Sequence, residues 1–276
     1  AEKEILVAVQ ELSLPRIAKS LVAASQRGVN VNVILENNYS TPWSQQHELD
    51  LSRHGRQRLK RLKVLADRDQ NGVVSSEEER ESDALLILQN GQIAWIDDTE
   101  DGSKGSGLMH HKFVVIDGER VITGSANFTN SGIHGDAGAT QTRGNVNHLI
   151  SIQDSSLATV FQEEFAQMWG DGPGGANDSR FGRNKTAKPL QTIKAGTAII
   201  SVLFPPHAKS HQGHGLDVIE DLLGSAKKKI DIALFVFSAQ QLTNKLAKQI
   251  SAGVQLRLLA DPGFASRSFS EVLDLL

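Results

Sequence analysis

An internal repeat constrains the fold of this 276-residue chain more than any other feature of its sequence. Residues 226–261 align without gaps onto residues 1–36. Each copy contains a short apolar run, a helical spacing of apolar residues that ends at a glycine, and a second apolar run. The identities fall at the strand, at the expected helix cap and at the helix end: Lys3/Lys228, Ile5/Ile230, Ala8/Ala233, Ser13/Ser238, Leu21/Leu246, Gly28/Gly253 and Val29/Val254. The repeat predicts two βαβ units, and such units favour parallel strands in an α/β sheet.

The most informative polar pattern lies in residues 109–127 and is spaced H-x-K-x4-D, then G-S-x-N: His110, Lys112, Asp117, Gly124, Ser125 and Asn127. Apolar runs on both sides of Asp117-Gly118 predict a β-hairpin in which His110 and Lys112 project from one face. Imidazole can act as a nucleophile near neutral pH, ammonium places positive charge on phosphate oxygens, and Ser and Asn supply neutral donors. Together these groups indicate attack on a phosphodiester.

This stretch resembles the H-x-K-x4-D…G-S-x-N signature of the phospholipase D superfamily. The resemblance implies His110 as nucleophile or general acid, Lys112 and Asn127 as phosphate ligands, and Asp117 and Ser125 as supports of the catalytic site. It also implies an active site where two similar halves meet, each with one His-Lys pair. One histidine would form a phosphohistidine and the other would protonate the leaving alcohol, with no metal needed for catalysis.

Two further positions complete the site that the resemblance implies. We expect Gly124 to contribute to substrate binding beside Lys112 and Asn127. Many members of the superfamily carry an acidic residue shortly after G-S-x-N that orients the histidine, and Asn147 stands at the corresponding place here. An amide can accept a hydrogen bond from the ring but cannot stabilise imidazolium by charge. Either Asp136 or another group takes that role, or the histidine is less activated than usual.

An insertion at about residues 50–90 carries a second motif. Its loop fits D-x-D-x-[DN]-G-x-ϕ-x-x-x-E, where ϕ is apolar, with candidate metal ligands at Asp67, Asp69, Asn71, Val73, Ser75 and Glu78. About seven such oxygens suit Ca²⁺, and the glycine at the sixth position permits the sharp turn. The loop resembles an EF-hand, so we expect a structural or regulatory calcium ion. The competing interpretation is a solvated acidic loop.

Helices are predicted on both sides of this loop, over residues 51–66 and 77–89. The first is rich in cations: Arg53, Arg56, Arg58, Lys60, Arg61 and Lys63. Such a cluster is more typical of a solvated helix face than of a lipid or nucleic-acid surface, although it is the chain's best basic cluster.

The amino-acid composition favours one class of substrate and excludes several kinds of chemical site. The chain has 29 Lys and Arg against 32 Asp and Glu, a net charge of −3, which favours a lipid over a nucleic-acid substrate slightly. The absence of cysteine excludes disulfides, thiolate metal sites and a cysteine nucleophile. No run approaches the roughly 18 apolar residues of a transmembrane segment, so any membrane contact would be peripheral.

We therefore expect an α/β fold with two phospholipase D-like halves, each a mixed β-sheet flanked by helices. Residues 1–169 form the first half, residues 170–189 a linker, and residues 190–276 the start of a truncated second half. The chain is then a piece of a longer protein. Its second His-Lys motif would come from the missing C-terminal half or from a second chain.

Three functions remain open at this point. The preferred one is a phospholipase D-type phosphodiester hydrolase that acts on phospholipids. A nuclease of the same superfamily is the first alternative. A catalytically silent calcium-binding scaffold module is the second, because the acidic partner is replaced by Asn147 and only one motif is present.

Overall fold

The computed structural model describes residues 1–102, 107–135 and 144–275, which form two compact units. The first unit comprises Ala1–Thr186 with Thr192–Ser201, and the second comprises Ala187–Gln191 with Val202–Leu276. No helix in the described ranges has both the length and the apolar character needed to span a bilayer.

A six-stranded mixed sheet with helices packed against it forms the first unit, as the α/β prediction requires. Its order is β3-β2-β1-β4-β5-β6, with parallel pairing among β1, β2 and β3 and antiparallel pairing from β1 through β4 and β5 to β6. The elements are β1 (Glu4–Val9), α1 (Pro15–Gln26), β2 (Asn30–Leu35), α2 (Arg53–Ala66), α3 (Ser76–Ser82), α4 (Ala84–Asn90), β3 (Ala94–Asp97), β4 (Lys112–Ile116), β5 (Arg120–Gly124), α5 (Asn130–Ile133), β6 (Leu149–Gln153) and α6 (Ser155–Trp169). A separate hairpin follows, β7 (Gln191–Ala195) with β8 (Ala198–Val202).

One hydrophobic core of this unit lies between the sheet and the helices α1 and α4. Val7, Val33 and Leu88 are almost completely buried within it, and burial of each such side chain contributes roughly 1.5–3 kcal/mol. Gly91 ends α4 against α1, where a Cβ atom would lie 2.4 Å from a methyl carbon of Val22. The glycine therefore permits the close approach of these two helices.

The second unit contains α7 (Gly215–Gly224), β9 (Lys229–Leu234), α8 (Gln240–Ser251), β10 (Gln255–Ala260) and α9 (Pro262–Ala265). Each end of β9, α8 and β10 lies 225 positions after the corresponding end of β1, α1 and β2. The parallel pairing repeats as well, with Glu4 opposite Asn30 and Lys229 opposite Gln255. The glycines that end the two helices share a positive φ, 91° at Gly28 and 87° at Gly253. The predicted internal repeat is confirmed.

Two local predictions were wrong. Ser13 and Ser238 were expected to cap the two helices, but the residues at the cap positions are Leu14 and Ala239. Neither of these makes a side-chain capping hydrogen bond. The helix predicted over residues 77–89 is instead two helices. It breaks at Asp83, whose carboxylate caps α4 and also accepts hydrogen bonds from Ser44.

Candidate active site

The polar residues of the signature converge at one end of the six-stranded sheet. Lys112 begins β4 opposite Val9, the last residue of β1, because these strands are antiparallel. The end of β5 lies beside the start of β6, so the chain leaves β5 towards Ser125 next to the backbone of His148. Strand pairing alone therefore gathers residues from three segments that are distant in sequence.

Lys112 is the buried cation of the site, with only 7% of its surface exposed. Its Nζ donates hydrogen bonds to Gln10 Oε1 at 3.2 Å and to the carbonyl oxygen of His110 at 2.9 Å. Burial lowers the pKa of Lys112 to about 8, since the charged form loses solvation. The ammonium is thus held beside the histidine, and its charge depends on pH in the weakly alkaline range.

Gln10 joins two of the predicted phosphate ligands. Its Oε1 accepts from Lys112 Nζ and also from Asn127 Nδ2 at 3.3 Å. Asn127 Oδ1 is buried, and the described residues offer it no hydrogen-bond partner. Sequence reasoning missed Gln10. The available signal was its position as the first polar residue after the buried strand β1, at the carboxyl end of a parallel pair where ligands often bind.

His110 lies two positions before the first residue of β4 and is exposed at the mouth of the site. Partial burial of the ring, together with the charges of Lys112 and His111, lowers the pKa of His110. A lowered pKa favours the neutral imidazole, which is the nucleophilic form. The backbone before it is fixed because Met109 N donates to the buried carboxylate of Asp98 at 3.1 Å. Asp98 was also missed by the sequence analysis.

Ser125 and Asn147 form a neutral hydrogen-bonded pair beside the site. Ser125 Oγ donates to Asn147 Oδ1 at 2.9 Å and accepts from the backbone N–H of His148 at 3.1 Å. Asn147 Nδ2 in turn donates to the carbonyl oxygen of Gly132 at 3.1 Å. Asn147 therefore orients Ser125. Within the parts of the chain described, no carboxylate hydrogen-bonds His110, and Asp136 lies outside the described residues.

Gly124 is required by the close packing of β5 on β6. A Cβ atom at this position would lie 2.0 Å from the carbonyl oxygen of His148, a distance that no side chain tolerates. The structure gives this glycine a packing role within the sheet. Its predicted contact with substrate stays a prediction.

Asp117 lies at the opposite end of β4 from His110 and Lys112. Five residues of extended strand separate it from Lys112 by roughly 16 Å. Its carboxylate accepts from the backbone N–H groups of Glu2, Lys3 and Glu4 at 2.8–3.1 Å. The structure therefore does not bring Asp117 to His110 and Lys112; it joins the hairpin to the start of β1, and its predicted support of the site stays a prediction.

A buried ion-pair cluster lies behind the site and was also missed. His111 Nε2 contacts Glu164 Oε1 at 2.8 Å, and Lys185 pairs with the same carboxylate. Burial opposes ionisation of Glu164, but both partners together hold its pKa below its usual range. Because Lys185 belongs to the segment predicted as a linker, that segment is attached to α6 in the described structure.

The calcium-type loop lies between α2 and α3, as an EF-hand arrangement requires. Carboxylate oxygens of Asp67, Asp69 and Glu78 all lie within 4.8 Å of one another. Backbone hydrogen bonds from Ser75 and Arg68 lower the pKa of Glu78 to about 2. This gathering of carboxylates fits a hard divalent cation with oxygen ligands.

The other expected ligands of the loop stand at their motif positions. Asn71 Nδ2 donates to Asp69 Oδ2 at 2.8 Å, and Ser75 Oγ donates to Glu78 Oε2 at 2.8 Å. Gly72 has a φ of 84°, which provides the sharp turn before Val73. The roles of Asn71, Val73 and Ser75 as metal ligands stay predictions.

A cleft of about 510 Å³ opens next to the signature residues. Ser125, Asn127 and Asn147 lie on one side of it, and residues of the basic helix α2 lie on another. Its size falls within the range of small-molecule binding sites, about 300–1,000 Å³.

Residues 1–169 match the family model described as "Cardiolipin synthase, PLD-like domain". Similar curated proteins include the mitochondrial cardiolipin hydrolase of Xenopus tropicalis, 27% identical over 169 residues, and the phospholipase D of Rickettsia conorii, 26% identical over 170 residues. Each alignment covers 61% of this chain and 56% of the relative. The chain thus spans a little over half the length of these relatives.

Solved structures provide an independent comparison of the fold. The phosphatidylserine synthase of Haemophilus influenzae aligns with a TM-score of 0.52 at 15% identity, covering 94% of this chain and 56% of that one. NUC, a phospholipase D family member from Salmonella typhimurium, aligns with a TM-score of 0.38 at 21% identity, covering 66% and 84%. The first of these similarities supports a shared fold.

Proposed function

This chain belongs to the phospholipase D-like family through residues 1–169, and on that basis we propose that it is a phosphodiesterase that hydrolyses phospholipids. The observation that carries the proposal is the arrangement of His110, Lys112 and Asn127. They meet at one end of the sheet, and Gln10 joins the lysine to the asparagine. A nucleophile thus stands beside a buried cation and an amide, which is the equipment needed to attack a phosphodiester.

In the proposed reaction, a ring nitrogen of His110 attacks phosphorus and the bond from phosphorus to the leaving alkoxide breaks. Lys112 stabilises the negative charge on the phosphoryl oxygens, and Asn127 donates a hydrogen bond to them. The alkoxide takes a proton from a second histidine. That histidine then removes a proton from water, which attacks the phosphohistidine and restores His110.

The second histidine belongs to another His-Lys motif, supplied by a further part of the protein or by a second copy of this chain. A symmetric dimer would bring two copies of His110 to one site. The requirement arises because a single imidazole cannot be covalently bound to phosphorus and protonate the leaving group in the same step.

Phospholipid is the preferred substrate for two reasons. Curated relatives of this chain include a mitochondrial cardiolipin hydrolase and a phospholipase D. The chain as a whole is slightly acidic, whereas nucleic-acid binding depends on a surplus of cations along the phosphate backbone. A nuclease remains the alternative, and a silent scaffold is the third possibility, because Asn147 supplies no charge to the histidine.

Calcium is proposed as a structural or regulatory ion in the loop from Asp67 to Glu78. The carboxylates of that loop belong to the insertion, whereas the His110 chemistry uses an imidazole and an ammonium. Ca²⁺ would supply charge compensation to the loop when bound, and Asp67, Asp69 and Glu78 would hold it together with Asn71, Ser75 and the carbonyl of Val73.

The proposed function is tested with three substrates: vesicles of cardiolipin, single-stranded DNA, and the chromogenic diester bis(4-nitrophenyl) phosphate. Wild type should release the lipid product and 4-nitrophenol, and His110→Ala should not. Preferential cleavage of DNA would make the protein a nuclease. No turnover of any substrate by the wild-type protein, at concentrations where dimers form, would favour the scaffold.

A further inference from the structure

The cleft beside the signature residues is built partly by the insertion. Six side chains of α2 line it with helical spacing: His54, Arg58, Arg61, Leu62, Leu65 and Ala66. Residues three, four and seven positions apart share one helix face. One face of α2 therefore lines the same cleft as Ser125 and Asn127.

Two arginines on this face differ in their electrostatic surroundings. Arg58 is largely buried and pairs with Glu11, Nε to Oε1 at 2.6 Å, while its guanidinium lies 5.1 Å from the ring centroid of Tyr39. Arg61 is exposed, and within residues 1–102, 107–135 and 144–275 no carboxylate lies within ion-pair distance of it. Arg58 is thus already neutralised, whereas Arg61 offers its charge to the cleft.

Aliphatic surface lies next to this cation. Leu14, Pro15 and Leu62 line the same cleft, and Leu65 is 42% exposed in it. Among the described residues of the lining, the indole ring of Trp43 is 3% exposed, and the imidazole of His54 is the one exposed ring. A surface for single-stranded nucleic acid uses exposed aromatic rings for base stacking, together with several cations. An aliphatic surface beside one uncompensated cation is better matched to an amphipathic lipid.

We propose that this cleft is a headgroup subsite for glycerophospholipids with an anionic headgroup, and that Arg61 is its specificity-determining residue. The inference rests on the proposed function, because it assumes that the phosphodiester occupies the site next to Asn127. The headgroup carboxylate or phosphate would then meet the guanidinium of Arg61, with the glycerol backbone along the leucines. Arginine suits this role because its planar donors match carboxylate and phosphate oxygens.

The test uses monomeric dihexanoylphosphatidylserine and dihexanoylphosphatidylcholine, which share a phosphodiester and acyl chains but differ in headgroup charge. Calorimetric titrations are made in a His110→Ala background so that no turnover occurs. Arg61→Gln should weaken phosphatidylserine binding about tenfold, the scale of one charge-assisted hydrogen bond, and leave phosphatidylcholine binding unchanged.

Lys60→Gln is the matched control, since Lys60 is an exposed cation on the same helix but does not line the cleft. It should change neither affinity. The proposal is overturned if Arg61→Gln affects both lipids equally, if Lys60→Gln has the same effect, or if the parent binds neither lipid. It is also overturned if oligothymidylate binds and loses affinity by the same factor, because that result assigns the cleft to nucleic acid.

Turnover of bis(4-nitrophenyl) phosphate by the wild-type chain tests the proposed function separately. That substrate has no anionic headgroup, so its hydrolysis with no Arg61 effect on lipid binding would refute the subsite alone. Headgroup-dependent binding without any turnover would refute the enzymatic function and leave a lipid-binding module.

Discussion

The ammonium of Lys112 donates a hydrogen bond to the carbonyl oxygen of His110 at 2.9 Å. The two residues are therefore linked by a hydrogen bond as well as being only two positions apart in the chain. Because the lysine bonds to backbone, its position does not depend on which way the histidine ring turns. A fixed cation beside a movable ring suits a nucleophile that must approach phosphorus while the phosphate stays in place.

Adjacent histidines provide a matched pair of substitutions. His110→Ala should lower kcat by on the order of 10³-fold or more while leaving the melting temperature unchanged, because the ring is exposed at the site. His111→Ala should destabilise the fold by about 1–3 kcal/mol, since buried Glu164 loses a hydrogen-bond donor. Turnover of a chromogenic diester and thermal melts measure both. Full activity in folded His110→Ala would refute its role as nucleophile.

Activity should fall as pH rises through about 8, the pKa of Lys112 in the free enzyme. The pKa is lowered, so the ammonium is present below this pH and is lost above it, together with its attraction for phosphate. Lys112→Arg should abolish this alkaline limb of the kcat/KM profile, because guanidinium stays charged. Its plateau should be lower than that of wild type, because a planar fork does not replace a compact ammonium. An unchanged limb in Lys112→Arg would assign the ionisation to another group.

Gln10→Leu should reduce both activity and stability, although sequence gives Gln10 no catalytic role. The change removes the acceptor shared by Lys112 and Asn127 and leaves donors unpaired, which costs about 1–3 kcal/mol. Gln10→Glu keeps an acceptor and adds negative charge, so it should raise the pKa of Lys112 and move the alkaline limb to higher pH. The pH profile of kcat/KM separates this effect from simple destabilisation, which would lower activity at every pH without moving the limb.

The chain by itself should be inactive as a monomer and active only as a dimer that pairs two copies of His110. Specific activity should then rise with protein concentration in step with dimer formation, measured by light scattering. His110→Ala added in excess should suppress wild-type activity by forming mixed dimers. Full activity from a chain shown to be monomeric in the assay would contradict the need for a second histidine.

Calcium should raise the melting temperature without being required for turnover. A ligand that binds only the folded state stabilises it by about 2.7 kcal/mol at roughly 100 times its Kd. Glu78→Gln should weaken this response, whereas Glu77→Gln is the matched control, because Glu77 is exposed and stands outside the ligand positions. Differential scanning calorimetry with and without chelator measures the shift. No calcium binding at millimolar concentration would make the loop an acidic turn, and loss of turnover on chelation would place the ion in the mechanism.

The sequence predicted those features that depend on local periodicity. The repeat, the βαβ order and the hairpin at Asp117-Gly118 all follow from apolar spacing and turn residues, and the structure reproduces them. Both central residues of that turn have positive φ, 54° and 65°, as an Asp-Gly pair permits. Local sequence patterns were therefore sufficient to predict the strands and the hairpin that position His110.

Contacts that depend on tertiary packing were not predictable in the same way. Gln10 and Asn127 are 117 positions apart, and His111 and Glu164 are 53 apart, so no local spacing connects them. The position of Asp117 at a turn was predictable, because the Asp-Gly pair interrupts two apolar runs. Its bonds to the backbone of residues 2–4 were not predictable, since they join positions at least 113 apart in the sequence.

The bonds from Asp117 to the backbone N–H groups of Glu2, Lys3 and Glu4 hold the start of β1 against the turn of the hairpin. Glu2 and Lys3 are held at the turn end of the hairpin, and the His110 end of β4 lies roughly 16 Å away. A fluorescent label or a surface tether attached to the exposed side chain of Lys3 would consequently lie at the end of the sheet opposite the His110 site. Immobilisation through this end should leave the cleft accessible to a lipid surface presented from the opposite direction.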